Sequence, residues 1–187
     1  MVQYNISMEH YRIVEGVGLY YVTFTVIEWL PVFIDETACK IITESLNFCI
    51  KNKHLRVNAY VIMPTHLHAI LFDAAFDPER LKSTLDDMRK FTGRQLLDHA
   101  AHHLPKAFTQ EFQQHAGKDR QRRFWQPTQH AVGIFSYAFW KQKFDYLHYN
   151  PYRKGLVLHP EDWPFSSARF WLKGETNNVQ LSDVGWE

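Results

Sequence analysis

The sequence has few cysteines and no long apolar segment. Its 187 residues include 2 Cys, 8 Gly and 8 Pro. Cys39 and Cys49 fall on one predicted helix, about 15 Å apart along its axis, which is too far for a disulfide. No run reaches the roughly 18 apolar residues that a membrane-spanning helix needs. These absences exclude a small disulfide-stapled domain and predict no membrane span.

The sequence also lacks a strong net charge, a signal-peptide layout and any linker rich in Gly, Ser or Pro. There are 21 basic and 20 acidic residues, a formal net charge of +1. A nucleic-acid partner must therefore rest on local clusters of cations. We expect one domain over residues 1–175, a polar tail over residues 176–187, and a cytoplasmic location.

Aromatic residues are abundant, with 14 Phe, 9 Tyr and 6 Trp, which excludes a disordered chain. The apolar periodicity predicts an α+β fold with an antiparallel sheet. The predicted elements are strands at 20–27, 57–63, 66–72 and 155–158, helices after Asp35, Asp77 and Ser136, a short helix at 166–171, and an irregular segment at 105–123. Pro151 is expected to end the third of these helices.

The first candidate for chemistry is the pair His66 and His68 on a predicted strand. Residues i and i+2 of a strand point to the same face, with Cα atoms about 6.6 Å apart. Two imidazoles so placed can bind one divalent cation, while Leu67 packs on the other face. A half-buried pair without metal is the alternative, and the motif alone does not exclude it.

The second candidate is Tyr146 on the predicted helix that follows Ser136. At about 100° per residue, Tyr146 shares a face with Lys143 and Asn150. This face lies away from the apolar stripe of the helix, which is formed by Tyr137, Trp140, Phe144 and Leu147. Periodicity alone equally allows an amphipathic tyrosine on a helix flank. Tyr149 lies about 300° further around the helix, which predicts that it turns toward the apolar stripe.

Four blocks in order resemble the REP-associated tyrosine transposases, a group of single-tyrosine HUH (His-hydrophobe-His) transposases. They are VIMPTHLHAIL (61–71), FWQ (124–126), DYLHYNPYRKGLV (145–157) and PEDWPFSSA (160–168). The resemblance covers the chain from about residue 20 to residue 171. It implies a ferredoxin-like antiparallel sheet with the HUH strand central and helices packed on it.

The resemblance also implies roles for individual residues. Tyr146 is implied as the nucleophile, and His66, His68 and Asn150 as ligands of Mg²⁺ or Mn²⁺. His130 is an alternative third ligand or a proton shuttle. Attack by a tyrosine on a phosphodiester would give a covalent 5′-phosphotyrosine and a free 3′-OH.

Candidate DNA contacts come from clustered cations near aromatic residues. A basic run beside rings suits single-stranded DNA, whose phosphates meet cations and whose bases stack on aromatic side chains. The candidates are Lys118, Arg120, Arg122, Arg123, Trp125, Arg89 and Arg94. Lys143 is a candidate accessory residue because it shares the face of Tyr146.

The sequence therefore predicts a metal-dependent transposase that cuts hairpin-forming single-stranded DNA, associated with a prokaryotic nucleoid. A domesticated hairpin-binding protein without cleavage activity is the main alternative. A zinc-dependent hydrolase using only the histidine pair is a third class, but it lacks a third strong ligand and would not need Tyr146. Both a monomer and a homodimer fit the sequence.

Overall fold

The computed structural model describes Ile13 and residues 16–116, 121–127 and 130–185. The elements within these ranges comprise four strands, five α-helices and two short 3₁₀ turns. In chain order they are β1 (Leu19–Thr25), a 3₁₀ turn (Ile27–Trp29), α1 (Glu36–Asn52), β2 (Leu55–Met63), β3 (His66–Asp73), α2 (Pro78–His103), α3 (Lys106–Gln114), β4 (His130–Ile134), α4 (Tyr137–Arg153), a second 3₁₀ turn (Pro160–Asp162) and α5 (Ala168–Lys173).

The four strands form one antiparallel sheet in the order β2-β3-β1-β4. The strand that carries the two histidines, β3, therefore lies in the interior of the sheet, as the sequence predicted. Helices pack on the sheet, so the predicted α+β fold is confirmed.

The helix starts follow from their capping residues. Asp35 accepts a hydrogen bond from the Ala38 amide, and Asp77 accepts one from the Arg80 amide. Ser136 caps α4 in the same way. Each of these side chains satisfies an N–H group that a helix start would otherwise leave unpaired. The three starts lie where the sequence predicted them.

The sheet buries side chains on both faces. On one face, residues such as Val22 and Leu67 belong to the large core that includes Ile42 of α1. On the other face, Tyr21 and Ile70 belong to a smaller core with Leu147 of α4. Because β-strand side chains alternate, His66 and His68 lie on the α4 face while Leu67 faces the large core.

Several sequence predictions of secondary structure were wrong. Residues 105–123 were expected to be irregular, yet α3 forms there and buries Phe112. Residues 155–158 were expected to be a strand, yet they form a turn that Gly155 starts at a φ of 69°. β4 was not predicted, because a strand of five residues gives little periodicity.

α4 continues past Pro151, where the sequence predicted its end. Proline lacks the N–H that would bond to Leu147, but the last turn closes through other donors. The Lys154 amide donates to the Asn150 carbonyl at 3.1 Å, and the Leu156 amide donates to the Pro151 carbonyl at 3.0 Å. The helix therefore carries Arg153 in its last turn.

The segment after α5 contacts the edge strand β2. Val179 is buried in the large core, and Asn177 accepts a hydrogen bond from the Tyr60 hydroxyl at 2.8 Å. The Ser182 amide donates to the Val57 carbonyl at 2.8 Å.

Within the described ranges, no helix is both long enough and apolar enough to span a membrane.

Candidate active site

His66 and His68 lie side by side on β3, as predicted. Their ring centroids are 4.4 Å apart and their planes are inclined by 69°. Both residues are buried, with 8% of His66 and 7% of His68 exposed. The two rings are thus close enough to bind one ion.

A threonine hydroxyl orients each of the two imidazoles. Nδ1 of His68 lies 2.8 Å from Oγ1 of Thr23, and Nδ1 of His66 lies 2.8 Å from Oγ1 of Thr65. Each hydroxyl can accept the Nδ1 proton, which leaves the Nε2 lone pair available for a ligand. In metal-binding histidines, the ring nitrogen that does not bind the metal typically donates a hydrogen bond to a nearby oxygen.

The electrostatics of the site favour neutral imidazoles. Burial, and secondarily the charge of Lys154, lowers the pKa of His66 to about 4. Burial, with the neighbouring His66 and Lys143, lowers the pKa of His68 well below its usual value. Both rings are therefore in the unprotonated form that metal binding requires at neutral pH.

α4 places Tyr146 next to the histidine pair. The Tyr146 ring centroid lies 5.8 Å from that of His68, and 42% of the residue is exposed. The guanidinium carbon of Arg153 lies 5.4 Å from the centre of the Tyr146 ring. The phenol, the two imidazoles and this cation all belong to one chain, so they meet without a second copy.

The extra turn of α4 brings cations that the sequence analysis missed. Arg153 is seven residues after Tyr146, which returns it to the same helix face. The charge of Lys154 acts on His66. The seven-residue spacing from Tyr146 indicates Arg153 as a site residue. Arg153 was not predicted because the helix was expected to end at Pro151.

Lys143 also lies near the histidines. Its ammonium is 5.1 Å from the centre of the Tyr21 ring, and the Tyr21 ring is 5.2 Å from that of His68. Lys143 is half-buried, and this desolvation lowers its pKa. A partly desolvated cation interacts more strongly with an anionic phosphate than an exposed one does.

The two imidazoles suit an ion that accepts nitrogen ligands. In the described part of the chain, no group of three His, Cys, Asp or Glu residues could hold a metal. His130 pairs with Thr23 across the sheet, two strands from His68 and about 10 Å away between Cα atoms. Among the described residues, His130 belongs to no group of three His, Cys, Asp or Glu side chains that could hold a metal. Asn150 is buried one turn after Tyr146, and its amide oxygen has the chemistry of a third ligand.

His148 connects α4 to the sheet rather than to the site. Its Nε2 lies 2.7 Å from Oγ of Ser167, and that hydroxyl donates its proton to the Tyr60 carbonyl. The His148 ring packs edge-on against Phe144 at 4.3 Å. This buried link between α4 and β2 fixes the helix that carries Tyr146.

A basic groove of about 760 Å³ lies between α2 and residues 121–127. It brings together Arg89, Arg94, Arg122 and Arg123, which are distant in sequence. Arg89 donates to the Gln126 carbonyl at 2.6 Å, and Arg122 pairs with Asp98 at 3.2 Å. Within the described ranges, neither Arg94 nor Arg123 forms an ion pair, so both can neutralise an added anion. Lys118 and Arg120 lie outside the described residues.

Trp125 is a core residue, which corrects the role expected for it. It is only 5% exposed, and its indole N–H donates to the Thr92 hydroxyl at 3.2 Å. Its ring packs against Phe33 and Phe124. A ring buried in this way cannot stack on a nucleobase, and the aromatic block at 124–126 closes the core beneath the groove.

The histidine pair is also contacted by three residues that were not among the predicted site residues, namely Thr23, Thr65 and Trp29. Trp29 packs its ring against His66 at a centroid distance of 5.6 Å. Thr23 is separated by 45 residues from His68. No local sequence pattern could indicate it, because only the register between β1 and β3 brings the two side chains together.

The buried histidines predict a loss of stability in mild acid. Burial lowers the pKa of His66 to about 4 and that of His148 to about 3, from 6.5 in the unfolded chain. Below about pH 6.5 the unfolded chain therefore binds protons that the folded chain does not. We expect the free energy of unfolding to fall from pH 7 to pH 5, by up to about 1.4 kcal/mol per pH unit for each such histidine.

Urea unfolding followed by circular dichroism at pH 7 and pH 5 measures this loss. Carboxylates of the unfolded chain titrate near pH 4, so they contribute little in this window. His148→Gln should reduce the difference between the two pH values, whereas the same change at exposed His102 should not. Equal stability at both pH values would contradict the assignment.

Comparison with known proteins shows the fold. No protein-family model matches the chain, and no curated protein matches it in sequence. Among solved structures, a REP-associated tyrosine transposase bound to a REP hairpin matches with a TM-score of 0.60 and 20% identity, covering 100% of this chain and 95% of that chain. A protein provisionally assigned as a transposase from Deinococcus radiodurans R1 matches with a TM-score of 0.47 and 13% identity, covering 78% of this chain and 95% of that chain. The chain thus shares the fold of the first protein over its whole length, in agreement with the sequence resemblance.

Proposed function

We propose that this protein is a transposase-type enzyme that cuts single-stranded DNA and joins Tyr146 to the 5′ phosphate at the cut. The observation that carries the proposal is the position of the Tyr146 ring, 5.8 Å from His68, which itself contacts His66. A metal-binding histidine pair alone would support many reactions. An exposed phenol against that pair favours nucleophilic attack on a phosphodiester.

In the proposed reaction, the Tyr146 oxygen attacks the scissile phosphorus and the bond from phosphorus to the 3′ oxygen breaks. The phenolic proton leaves to solvent, and the departing 3′ oxygen takes a proton to become a 3′-OH. Lys143 and Arg153 supply positive charge beside the phosphate as it reacts. Mg²⁺ or Mn²⁺ bound by His66, His68 and Asn150 would supply Lewis-acid polarisation of the phosphate.

The basic groove supports DNA as the substrate. Gln126 lines the groove, and its backbone N–H donates to the Thr25 carbonyl at 2.8 Å. Thr25 in turn pairs with His66 across the sheet. The histidines lie on the opposite face of the sheet from α2, so a strand bound in the groove would reach them by passing around the end of β1. Because the similar transposase was solved with a REP hairpin, we propose hairpin-forming DNA with a single-stranded flank as the ligand.

Covalent trapping tests the proposed function. The protein is incubated with Mn²⁺ and a hairpin oligonucleotide that carries its label at the 3′ end, and the products are separated on a denaturing gel. The 3′ label should move with the protein, because the tyrosine retains the 5′ phosphate of the downstream fragment. The same oligonucleotide labelled at its 5′ end should instead release a shorter free strand.

The two labels also separate the proposal from its alternatives. A protein that binds the hairpin without releasing any fragment would be the domesticated binding protein. A hydrolase would release both fragments free, with no labelled protein. Either result would overturn the proposed covalent chemistry.

Removing charge from the groove should weaken DNA binding at every sequence. Arg94→Ala together with Arg123→Ala removes two cations that make no ion pair within the described residues. The slope of log affinity against log salt should decrease by about 0.7 for each phosphate of a single strand that the variant no longer neutralises. Fluorescence anisotropy at several salt concentrations measures this slope.

The matched control is Lys51→Ala with Lys82→Ala, which removes the same charge from exposed positions on α1 and α2 outside the groove. We expect the control to keep the slope of the wild-type protein. If the slope changed equally in the two double variants, the groove cations would contribute no more to DNA binding than other surface cations.

A further inference from the structure

Trp29 is an exposed aromatic residue beside the histidine pair. It ends the 3₁₀ turn that follows β1, and 56% of it is exposed. Its ring centroid lies 5.6 Å from that of His66, with the planes inclined by 78°. A large apolar ring is thus open to solvent at the edge of the proposed active site.

The backbone at this turn has an unfavourable conformation. Glu28 and Trp29 have φ angles of 50° and 54°, in the left-handed region. For a bulky side chain such a φ is an outlier, and glycine would adopt it without strain. Local backbone preference therefore does not explain a tryptophan here, and strain of this kind is concentrated at functional sites.

Backbone hydrogen bonds and one ion pair hold the turn. The Ile27 amide donates to the Phe124 carbonyl at 2.8 Å, and the Val26 amide donates to the Thr65 carbonyl at 3.0 Å. The Glu28 carboxylate lies 3.0 Å from Nε2 of His115 at the end of α3. These contacts fix the turn, and among the described residues they leave Trp29 largely exposed.

We propose that Trp29 is a stacking platform for a nucleobase next to the phosphate that Tyr146 attacks. The proposal rests on the proposed function, because it places the DNA strand at the histidine pair. Aromatic side chains bind bases of single-stranded DNA through their π faces. A ring in contact with His66 is within reach of the nucleoside attached to a phosphate bound there.

Stacking on Trp29 would do two things for the reaction. It would hold one nucleoside flat against the turn, which fixes the position of the neighbouring phosphate relative to Tyr146. It would also favour single strands over duplex at this point, since a paired base is not free to stack on a protein ring.

A double-mutant cycle between protein and DNA tests the proposal. Affinities are measured in the Tyr146→Phe background, which prevents covalent trapping. The probe is the labelled hairpin oligonucleotide, with an abasic site introduced at each position of the single-stranded flank in turn. Trp29→Ala should weaken binding of the intact probe by about 5- to 150-fold, the range for removing the stacking of one base.

One abasic position should weaken wild-type binding by a similar factor and have no further effect on Trp29→Ala. Such non-additivity identifies a direct contact between the two groups. Trp29→Phe should keep most of the affinity. Phe48→Ala, which removes an equally exposed ring from α1, should change nothing.

Trp29→Gly separates stacking from folding. Glycine suits the left-handed φ, so this variant should melt at or above the temperature of Trp29→Ala while binding DNA as weakly. Additive effects at every abasic position, or full affinity of Trp29→Ala, would overturn the proposal.

The outcome is distinguishable from failure of the proposed function. If the wild-type protein forms the covalent adduct but the cycle shows no coupling, only the role of Trp29 is wrong. If coupling is found but no adduct forms, Trp29 still stacks on DNA and the cleavage chemistry is wrong. If neither the wild-type protein nor the Tyr146→Phe protein binds the probe, both proposals are overturned.

Discussion

Tyr146→Phe is expected to abolish covalent adduct formation and strand cleavage while leaving folding and DNA affinity unchanged. Phenylalanine keeps the ring that packs near His68 and Arg153. Only the hydroxyl is removed, and within the described residues it makes no hydrogen bond. We expect cleavage to fall by on the order of 10³-fold or more, since no other group supplies the nucleophile.

Denaturing gels with the 3′-labelled hairpin measure adduct formation, and anisotropy measures DNA affinity. Tyr149→Phe is the matched control, because Tyr149 lies on the same helix and is 41% exposed. Its ring is 6.4 Å from that of Tyr152 rather than against the histidines. Loss of cleavage in Tyr149→Phe with retention in Tyr146→Phe would reverse the assignment of the nucleophile.

His68→Ala is expected to reduce adduct formation by roughly two to three orders of magnitude, and EDTA treatment of the wild-type protein should do the same. Lewis-acid stabilisation is worth several kcal/mol, and each 1.36 kcal/mol is about tenfold in rate. His66→Ala should behave alike, because the two rings are 4.4 Å apart and would bind one ion. The rate of adduct formation against Mn²⁺ concentration is the measurement.

Thr23→Val is the graded control for this prediction. It keeps the shape of the side chain but removes the hydroxyl 2.8 Å from Nδ1 of His68. Removal of such an orienting partner typically weakens metal affinity by about 10- to 100-fold. Excess Mn²⁺ should therefore restore Thr23→Val but not His68→Ala. Full activity of His68→Ala in EDTA would show that the histidine pair binds no catalytic ion.

The secondary-structure predictions that were confirmed depend on interactions between residues close in sequence. The caps Asp35, Asp77 and Ser136 lie at helix starts because capping depends on three or four adjacent residues. The shared face of His66 and His68 was predictable because strand geometry fixes it. The turn at 155–158 was predicted to be a strand because its apolar residues have the sequence pattern of a short buried strand. Leu156 and Leu158 are nevertheless exposed.

Two predictions about the surroundings of single residues were wrong because those surroundings depend on tertiary contacts. Tyr149 was expected to turn toward the apolar stripe of α4, yet it is exposed, and His148 occupies the buried position through its bond to Ser167. Trp125 was expected to stack on DNA, yet packing against Phe33 and Phe124 buries it. Ser167 and Phe33 are far from these residues in sequence, so helix periodicity and composition could not identify the packing.

The sequence by itself determined the fold class and the strand face that His66 and His68 share, because apolar periodicity and the two-residue repeat of a strand fix them. Only the tertiary structure decided what surrounds them. The register of β1 against β3 brings Thr23 to His68, and the turn held by Phe124 and Thr65 brings Trp29 to His66. These contacts join residues more than 30 positions apart, and such pairings are fixed by the packing of the whole sheet rather than by local preference.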